Sequence, residues 1–557
     1  MVKIDNMETL KYLIIGGVAG GATAAARLRR IDENAEIILF EKGKHISFAN
    51  CGLPYYIGNT IEQREALFLQ TPTSFGDRFN VDVRNNQEVI SINPNKKSVQ
   101  VKRANGKIYE ETYDKLLLSP GANPFIPKIE GVDSEGIFTL RNVEDTDNIK
   151  NYAITHKIKQ AVVIGAGFIG LEMVENLHHL GIDVSIVEMA NQLMPTLDYE
   201  MAAFLKMEMA NQQVKMHLGT SATRFYRENE KLQISLSNGE ILTADMVILS
   251  VGVRPNTALA QSAGIKLGIT GGIWVDEYLQ TSVPDIYAVG DAIEYPHPIT
   301  RKPWLNFLAN PANRQGRIVA DNIVWGNKVR YEGAIGTAIA KVFNMTAAST
   351  GLSEKKLQQE KIPYLTSTTH SNSHAGYYPN AQMMAIKLTF SPENGKILGA
   401  QIVGYNGVDK RIDQIALLIK NGGSIHDLTL VEHAYAPPFS SAKDPVAIAG
   451  YVACNVYNGI MPTITWRDLA EQKLPEGTLI DVRTLQEFTE GAIPNAIHIP
   501  VDELRERLDE IPEDKPIYLY CGVGLRGYVA LKILTQSGFK NVYNLSGGYR
   551  TYATAII

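Results

Sequence analysis

The hydrophobic pattern of the chain is built from short, unbroken apolar runs, each cut off by glycine or by an acidic residue. Tyr12–Ile15 meets Gly16, Gly17, Gly20 and Gly21, an alanine-rich stretch follows, and a second run, Ile37–Phe40, stops at Glu41. The same order returns in AVVIGAGFIGLEMVENLHHLGIDVSIVEMA, where a run ends at Gly165, Gly167 and Gly170 follow, and a later run stops at Glu188. Runs of this length with punctuated ends predict buried strands, so each unit reads strand, glycine turn, helix, strand. A third run, Ile286–Val289, ends in Gly290 and Asp291, after which a new helix is expected. Beyond VYNGIMPTIT (456–465) the pattern restarts. A strand ends in Asp481-Val482-Arg483, a helix and a proline-bounded turn follow, and a later strand runs into a loop from Cys521 to Arg526 before another helix. No run approaches the roughly 20 apolar residues a membrane span needs, and the N-terminus lacks a signal peptide's long apolar stretch.

The residues at the ends of these runs are the ones dinucleotide binding requires. Small residues at a strand-to-helix turn let the backbone approach a pyrophosphate, and the unpaired N–H groups of the helix N-terminus favour anions. Glu41 is placed to accept hydrogen bonds from a ribose. Val18 stands where the middle glycine of G-x-G-x-x-G belongs, so the first match is imperfect, whereas Gly165, Gly167 and Gly170 fit the spacing fully. Glu188 repels a 2′-phosphate, which points the second site to NADH. Glu172 reads as a residue that packs or hydrogen-bonds within the first turn of its helix, and Asp291 as an acid ready for a ribitol hydroxyl. Two such sites in one chain imply electron passage between two dinucleotides.

Length, charge and cysteine usage narrow the picture. At 557 residues, three or four domains are expected. A net charge of −5 offers no overall basic surface for nucleic acid. Cys51, Cys454 and Cys521 are odd in number and far apart, which argues against a disulfide framework and fits a cytoplasmic protein with one or two reactive thiols. Thr23, Arg27 and Arg30 fall at i, i+4 and i+7 and share one helical face. That stripe is either a solvated basic face or a phosphate site, since arginine binds phosphate oxygens bidentately. The lone cysteine of SFANCGLPYYIG (47–58) can cycle through a sulfenic acid or through a mixed disulfide with a small thiol. Cys521, at a strand end and ringed by loop amides, is expected to have a lowered pKa and to cradle a persulfide anion. Cys454 reads as a buried spectator and His433 as a packed core histidine. His370 and His374 have no further ligands nearby, so no metal site is expected.

Four motifs in order, namely the two glycine turns, VGVRPNT (251–257) and TSVPDIYAVGDA (281–292), resemble the two-dinucleotide flavoprotein disulfide reductases over about residues 10–455. The resemblance implies FAD on Gly16, Gly17, Gly20, Gly21, Glu41, Gly290 and Asp291. It implies NADH on Gly165, Gly167, Gly170, Glu188 and Gly252, and a C-terminal dimerisation domain. A single cysteine in S-F-x-x-C is similar to the branch of NADH oxidases, NADH peroxidases and coenzyme A-disulfide reductases. The oxidase and peroxidase members carry a histidine where this chain has Ala19, which counts against them. The resemblance to coenzyme A-disulfide reductases implies that Thr23, Arg27, Arg30, Ser47, Asn50 and Lys443 hold CoA, and that Cys51 pairs with the CoA thiol. It also implies two tyrosines inserted across a dimer, Tyr435 in EHAYAPPFS and Tyr377 in HAGYYPNA, with Tyr378 as the alternative to Tyr377. A phenol can protonate a leaving thiolate or bind it by hydrogen bond. Residues 465–557 resemble a rhodanese domain through D-V-R, G-A-I-P-N-A, NLSGGY (544–549) and the loop of Cys521, Gly522, Gly524 and Arg526. Ala492 departs from that pattern, where many rhodaneses have histidine.

The expected fold is α/β, with two Rossmann-like dinucleotide-binding domains and an α+β dimerisation domain, followed by an α/β rhodanese domain. The expected boundaries are 1–150 and 271–335 for the two parts of the FAD-binding domain and 151–270 for the NADH-binding domain. The dimerisation domain takes 336–455, a linker 456–464, and the rhodanese domain 465–557. The activity implied is FAD-dependent, NADH-driven reduction of CoA disulfides, CoA persulfides and polysulfides, through Cys51 paired with CoA and through Cys521, releasing sulfide and thiol. Three readings compete with it: a CoA-disulfide reductase with an accessory rhodanese, an NADH oxidase or peroxidase acting through a sulfenic acid, and a sulfurtransferase or sulfur-carrier module. A cytoplasmic homodimer with sites shared across its interface is expected, acting on small molecules, with no nucleic-acid or membrane partner.

Overall fold

The computed structural model describes residues 9–556. It forms two compact units, one built from the chain up to Met189 and from Thr220–Gly336, the other from Ala190–Gly219 and from Thr337 onward.

In the first unit, five parallel strands run in the order Ile286–Ala288, Lys115–Leu118, Lys11–Ile15, Glu36–Glu41 and Asp82–Asn85. The central strand KYLII is buried on both faces, as its apolar run demands, because helices cover a parallel sheet on each side. A second parallel array sets Asp183–Glu188, Gln160–Ile164, Met246–Leu249 and Ile137–Thr139 side by side. Two antiparallel meanders, 87–112 and 222–244, and two smaller sheets of two and three strands complete the unit.

The expected helix after Asp291 is a single 3-10 turn, Gly290–Ala292, which leads into the strand Ile293–Pro296. Branched and aromatic side chains in I-E-Y-P suit a strand, and Pro296 cannot continue a helix. The long helix comes later, at Ala309–Trp325.

The second unit holds an antiparallel sheet in the order Ala338–Val342, Met345–Gly351, Ile397–Gly404, Met383–Phe390, Leu365–Asn372. A parallel sheet follows, ordered Thr463–Ile464, Val542–Leu545, Ile517–Tyr520, Thr478–Asp481, Ile497–His498. Two boundaries therefore differ from the sequence reading. The expected linker, 456–464, contains the end of the helix Pro445–Tyr457 and a strand of the last sheet. Residues 190–219 belong to this unit, where Lys387 is buried among Asp198, Glu200 and Glu354.

Candidate active sites

Strand register fixes both dinucleotide turns. Ile15 pairs with Phe40 and Ile164 with Val187, so Gly16 and Glu41 leave their sheet at one edge, as do Gly165 and Glu188. Each acid is tied to its turn: Gly17 N donates to Glu41 Oε2 at 3.0 Å, and Ala166 N donates to Glu188 Oε2 at 2.7 Å. Gly16 has a φ of 100°, and a Cβ there would stand 2.1 Å from Ser119 O. A Cβ on Gly21 would stand 1.8 Å from Gly16 O. The second turn repeats both approaches, Gly165 against Ser250 O at 2.2 Å and Gly170 against Gly165 O at 2.0 Å. Val18 is harmless because it is the residue just before the helix Ala19–Ile31.

Bare amides at a helix start, faced by a carboxylate at the neighbouring strand end, fit the pyrophosphate and ribose of a dinucleotide at both turns. In the first unit, burial pushes Asp291 up to about 6, with Arg141 pulling the other way. A buried carboxylate of this kind gains from a hydroxyl donor such as a ribitol. Gly290 N donates to Gln315 Oε1 at 2.7 Å. Arg141 and Gln315 carry no motif that sequence reading could have caught.

Cys51 lies in a 3-10 turn, Asn50–Gly52, ahead of the short helix Leu53–Ile57. Ser47 takes a left-handed φ of 45°, uncommon outside glycine. Its N–H donates to Gly17 O at 2.8 Å and its carbonyl accepts from Leu69 N at 3.1 Å, which ties the cysteine segment to the first glycine turn. Cys51 is exposed on this chain. The crowding of protein around its sulfur nonetheless desolvates the thiol and pushes it up, and the negative potentials of Glu172 and Asp291 push it further. Burial also takes Glu172 up to about 7, against a long hydrogen bond of 3.5 Å donated by Tyr55 Oη. The expectation that Glu172 packs or hydrogen-bonds within its own helical turn gives way to a contact with Tyr55, remote in the chain. Glu172 also acts electrostatically on Cys51, a relation that only the fold creates.

Of the residues expected to hold CoA, Thr23 Oγ1 donates to Asn313 Oδ1 at 2.6 Å. Arg27 Nε donates to Asp321 Oδ1 at 2.7 Å, and Arg30 is exposed. The expected basic face is thus partly matched by the helix Ala309–Trp325. The adjacent Arg29 is a framework residue, buried on the carbonyls of Asp32, Glu33, Ala35, Phe79 and Asn80. Ser47 is half-buried, while Asn50 and Lys443 are exposed. In the second unit, the loop carrying Lys443 is anchored by Asp444, which accepts from Arg411 Nη2 at 2.8 Å and Ser440 Oγ at 2.5 Å.

Tyr377 Oη and Tyr435 Oη lie 2.9 Å apart, both on exposed residues, and Tyr435 raises the Tyr377 phenol above its ordinary value by hydrogen bonding. Tyr378 instead packs edge-on against His374. His370 Nε2 bonds Thr551 Oγ1 at 2.8 Å, and burial pushes it down to about 3. His374 Nε2 meets Pro379 O at 3.0 Å. Burial likewise lowers His433, whose Nδ1 is 3.9 Å from Asp444 Oδ1. Cys454 departs from expectation: it is half-buried, and its Sγ lies 3.4 Å from His426 Nδ1.

Cys521 is fully buried at the end of the strand Ile517–Tyr520. Gly524, at φ 106°, turns its N–H onto Cys521 Sγ at 3.1 Å. Tyr549 N donates to Cys521 O at 2.7 Å and Arg550 N to Gly522 O at 3.0 Å, so NLSGGY and the residue after it brace the loop from behind. Arg483 is spent on Asp481 and on Gly491 O, both at 2.6 Å. Arg526 reaches Glu487 through both Nη atoms, each at 2.6 Å, a partner that no sequence motif announces.

Comparison with known proteins agrees with this architecture. The model of pyridine nucleotide-disulphide oxidoreductases matches residues 10–310, that of their dimerisation domain 337–446, and that of the rhodanese-like domain 465–555. The chain therefore belongs to the pyridine nucleotide-disulphide oxidoreductase family, whose enzymes use FAD and NADH, and it carries a rhodanese-like domain. More particularly, it is 36% identical over 450 residues to the coenzyme A disulfide reductase of Staphylococcus epidermidis, covering 80% of this chain and 99% of that one. Among solved structures it resembles the reduced CoADR-RHD of Bacillus anthracis, with 48% identity, a TM-score of 0.97 and 99% of each chain covered. It also resembles a NAD-dependent persulfide reductase from A. fulgidus, with 37% identity, a TM-score of 0.92, and 98% and 100% covered. Among the described residues, no helix is long and apolar enough to cross a membrane.

Proposed function

We propose that this protein is an NADH-driven, FAD-dependent reductase of CoA disulfides, CoA persulfides and polysulfides. The observation that carries the reading is the presence of two unlike thiols. Cys51 stands alone beside the first glycine turn, and Cys521 lies in an amide-capped loop on a separate sheet. FAD at Gly16, Gly17, Gly20, Gly21, Glu41, Gly290 and Asp291, with NADH at Gly165, Gly167, Gly170, Glu188 and Gly252, supplies two-electron chemistry.

Cys51 would rest as a mixed disulfide, Cys51–S–S–CoA, with Thr23, Arg27, Arg30, Ser47 and Asn50 of the first unit holding CoA; the resemblance adds Lys443 to these residues. Two-electron reduction breaks that S–S bond to leave two thiolates. A thiol pushed up by desolvation and two carboxylates is a poor resting thiolate, so protonation drives the release. Glu172, titrating near neutrality, and the Tyr377–Tyr435 pair from the partner subunit are the proton sources. The freed CoA thiolate would attack the outer sulfur of a Cys521 persulfide, giving CoA persulfide and the Cys521 thiolate. The Cys51 thiolate would then attack the CoA-bound sulfur, hydrosulfide would leave, and Cys51–S–S–CoA would re-form for the next two electrons from NADH.

The test is Cys51→Ser in the flavin-loaded enzyme. The variant keeps bound, NADH-reducible flavin and loses reduction of CoA disulfides and persulfides, because it removes the disulfide sulfur and touches neither glycine turn. Retained persulfide reduction would sink the proposal. Denaturation of the untreated wild type should release CoA together with FAD.

A further inference from the structure

We propose that Glu487 sets the specificity of the Cys521 loop, since its ion pair with Arg526 cancels the loop's positive charge. The loop thereby rejects small dianionic donors of the thiosulfate class and accepts sulfane sulfur from alkyl persulfides. This rests on reading Cys521 as a sulfane-sulfur acceptor and adds which donors it takes.

Arg526 is the only charged residue in C-G-V-G-L-R, so it alone gives the loop a cation. Left free, its guanidinium would bind a dianion bidentately. In the structure both Nη atoms bond Glu487 Oε1 and Oε2 at 2.6 Å, and Arg526 holds that carboxyl well down, at about 2. The guanidinium also interacts, more weakly, with Cys521. The pair sits on the loop itself. A Cβ on Gly522 would be 3.5 Å from Arg526 Nη2 and 3.6 Å from Glu487 Oε1. Of the neighbouring arginines, Arg483 is neutralised by Asp481, while Arg550 keeps its charge and lays Nη1 on Met383 Sδ at 3.6 Å. Leu485 and Leu525, exposed at the starts of the two helices that carry the pair, add apolar surface.

Glu487 also completes a helix cap, its Oε2 accepting from Thr484 N at 3.1 Å and Thr484 Oγ1 at 3.0 Å. A cap needs only one acceptor oxygen, which glutamine also supplies. The charge and the second oxygen serve Arg526.

The two donor classes differ in what the loop must tolerate. With thiosulfate, the Cys521 thiolate attacks the outer sulfur, a Cys521–S bond forms, the S–S bond breaks, and sulfite leaves with the bonding pair. A dianion enters and a dianion departs. With an alkyl persulfide RSSH, the same bond forms, the RS–S bond breaks, and the proton leaves on RSH. Only the Cys521 persulfide then carries charge. Neither transfer changes the total oxidation state. A carboxylate at the mouth penalises the first route far more than the second.

The experiment uses the full-length flavin-loaded protein and its Glu487→Gln variant, which preserves the cap. Thiosulfate-to-cyanide transfer is measured against loading of Cys521 by glutathione persulfide, read by intact-protein mass with Cys521→Ser as blank. NADH-dependent reduction of CoA disulfide, which does not involve this loop, reports folding. The thiosulfate-to-persulfide ratio of kcat/KM should rise at least tenfold, mainly through KM, and the rise should shrink with salt. Adding Arg526→Met to Glu487→Gln should abolish the gain. An unchanged ratio with persulfide loading intact overturns the inference and leaves the Cys521 reading standing. A wild type that already takes thiosulfate as readily as persulfide also overturns it. No loading by any sulfane donor overturns both.

Discussion

Glu172 and Glu188 stand one turn and one strand beyond the same glycine motif, yet they act on different objects. Glu172 adds to the desolvation that raises Cys51. Removing its charge in Glu172→Gln favours the Cys51 thiolate, so the pH midpoint for alkylation of Cys51 in the reduced enzyme should move down. Peptide mass mapping separates Cys51 from Cys454 and Cys521, and an unmoved midpoint would mean that desolvation alone sets the thiol. Glu188 holds the second glycine turn through Ala166 N, and in the proposed NADH site its negative charge would repel a 2′-phosphate. Glu188→Arg should cut the preference for NADH over NADPH by roughly tenfold, the scale of one favourable ionic contact of about 1.4 kcal/mol. Steady-state kcat/KM with each coenzyme decides this, and a wild type indifferent to the two would show that another residue sets the choice.

At the scale of elements, the second unit depends on a buried ion cluster that ties the helix Tyr199–Asn211 to the antiparallel sheet. Lys387, 2% exposed, bonds Asp198 at 2.9 Å, Glu354 at 2.5 Å and also Glu200. Lys387 keeps Asp198 below the usual carboxylate range despite burial that works the other way. Lys387→Met leaves buried carboxylates without a cation, and the expected loss at pH 7 is about 3–5 kcal/mol. The sign of its pH dependence follows from linkage. In wild type the depressed carboxylate contributes stability above its unfolded pKa and loses it as pH falls. In the variant the carboxylates rise, bind protons more readily when folded, and regain stability as pH falls. Wild type and variant should therefore converge toward low pH in thermal or urea unfolding. A gap that stays constant with pH would assign the loss to packing.

At the scale of the whole molecule, the family's dimerisation domain spans residues 337–446, the segment that holds Tyr377 and Tyr435. If these phenols serve the Cys51 site of the partner subunit, neither Cys51→Ser nor the double variant Tyr377→Phe, Tyr435→Phe has a complete site. Co-refolding the two should produce heterodimers with one intact site each. CoA-disulfide reduction should then exceed that of both parents once subunit exchange is confirmed by mass. Activity no higher than the better parent would assign the site to a single chain.

The sequence by itself determined the α/β class, both dinucleotide turns, the dimerisation and rhodanese-like segments and the two unlike thiols. Each is written in local order: apolar runs of strand length, glycines at fixed offsets, an acid at the next strand end. It missed whatever depends on residues remote in the chain. The strand after Asp291, the match of Arg27 to Asp321 and the proximity of Glu172 to Cys51 are all of that kind. So is the Glu487–Arg526 pair, formed by two helices that start forty residues apart. Periodicity and spacing report what the backbone does within a few turns. Charge neutralisation and pKa depend on distances between side chains that only tertiary packing brings together.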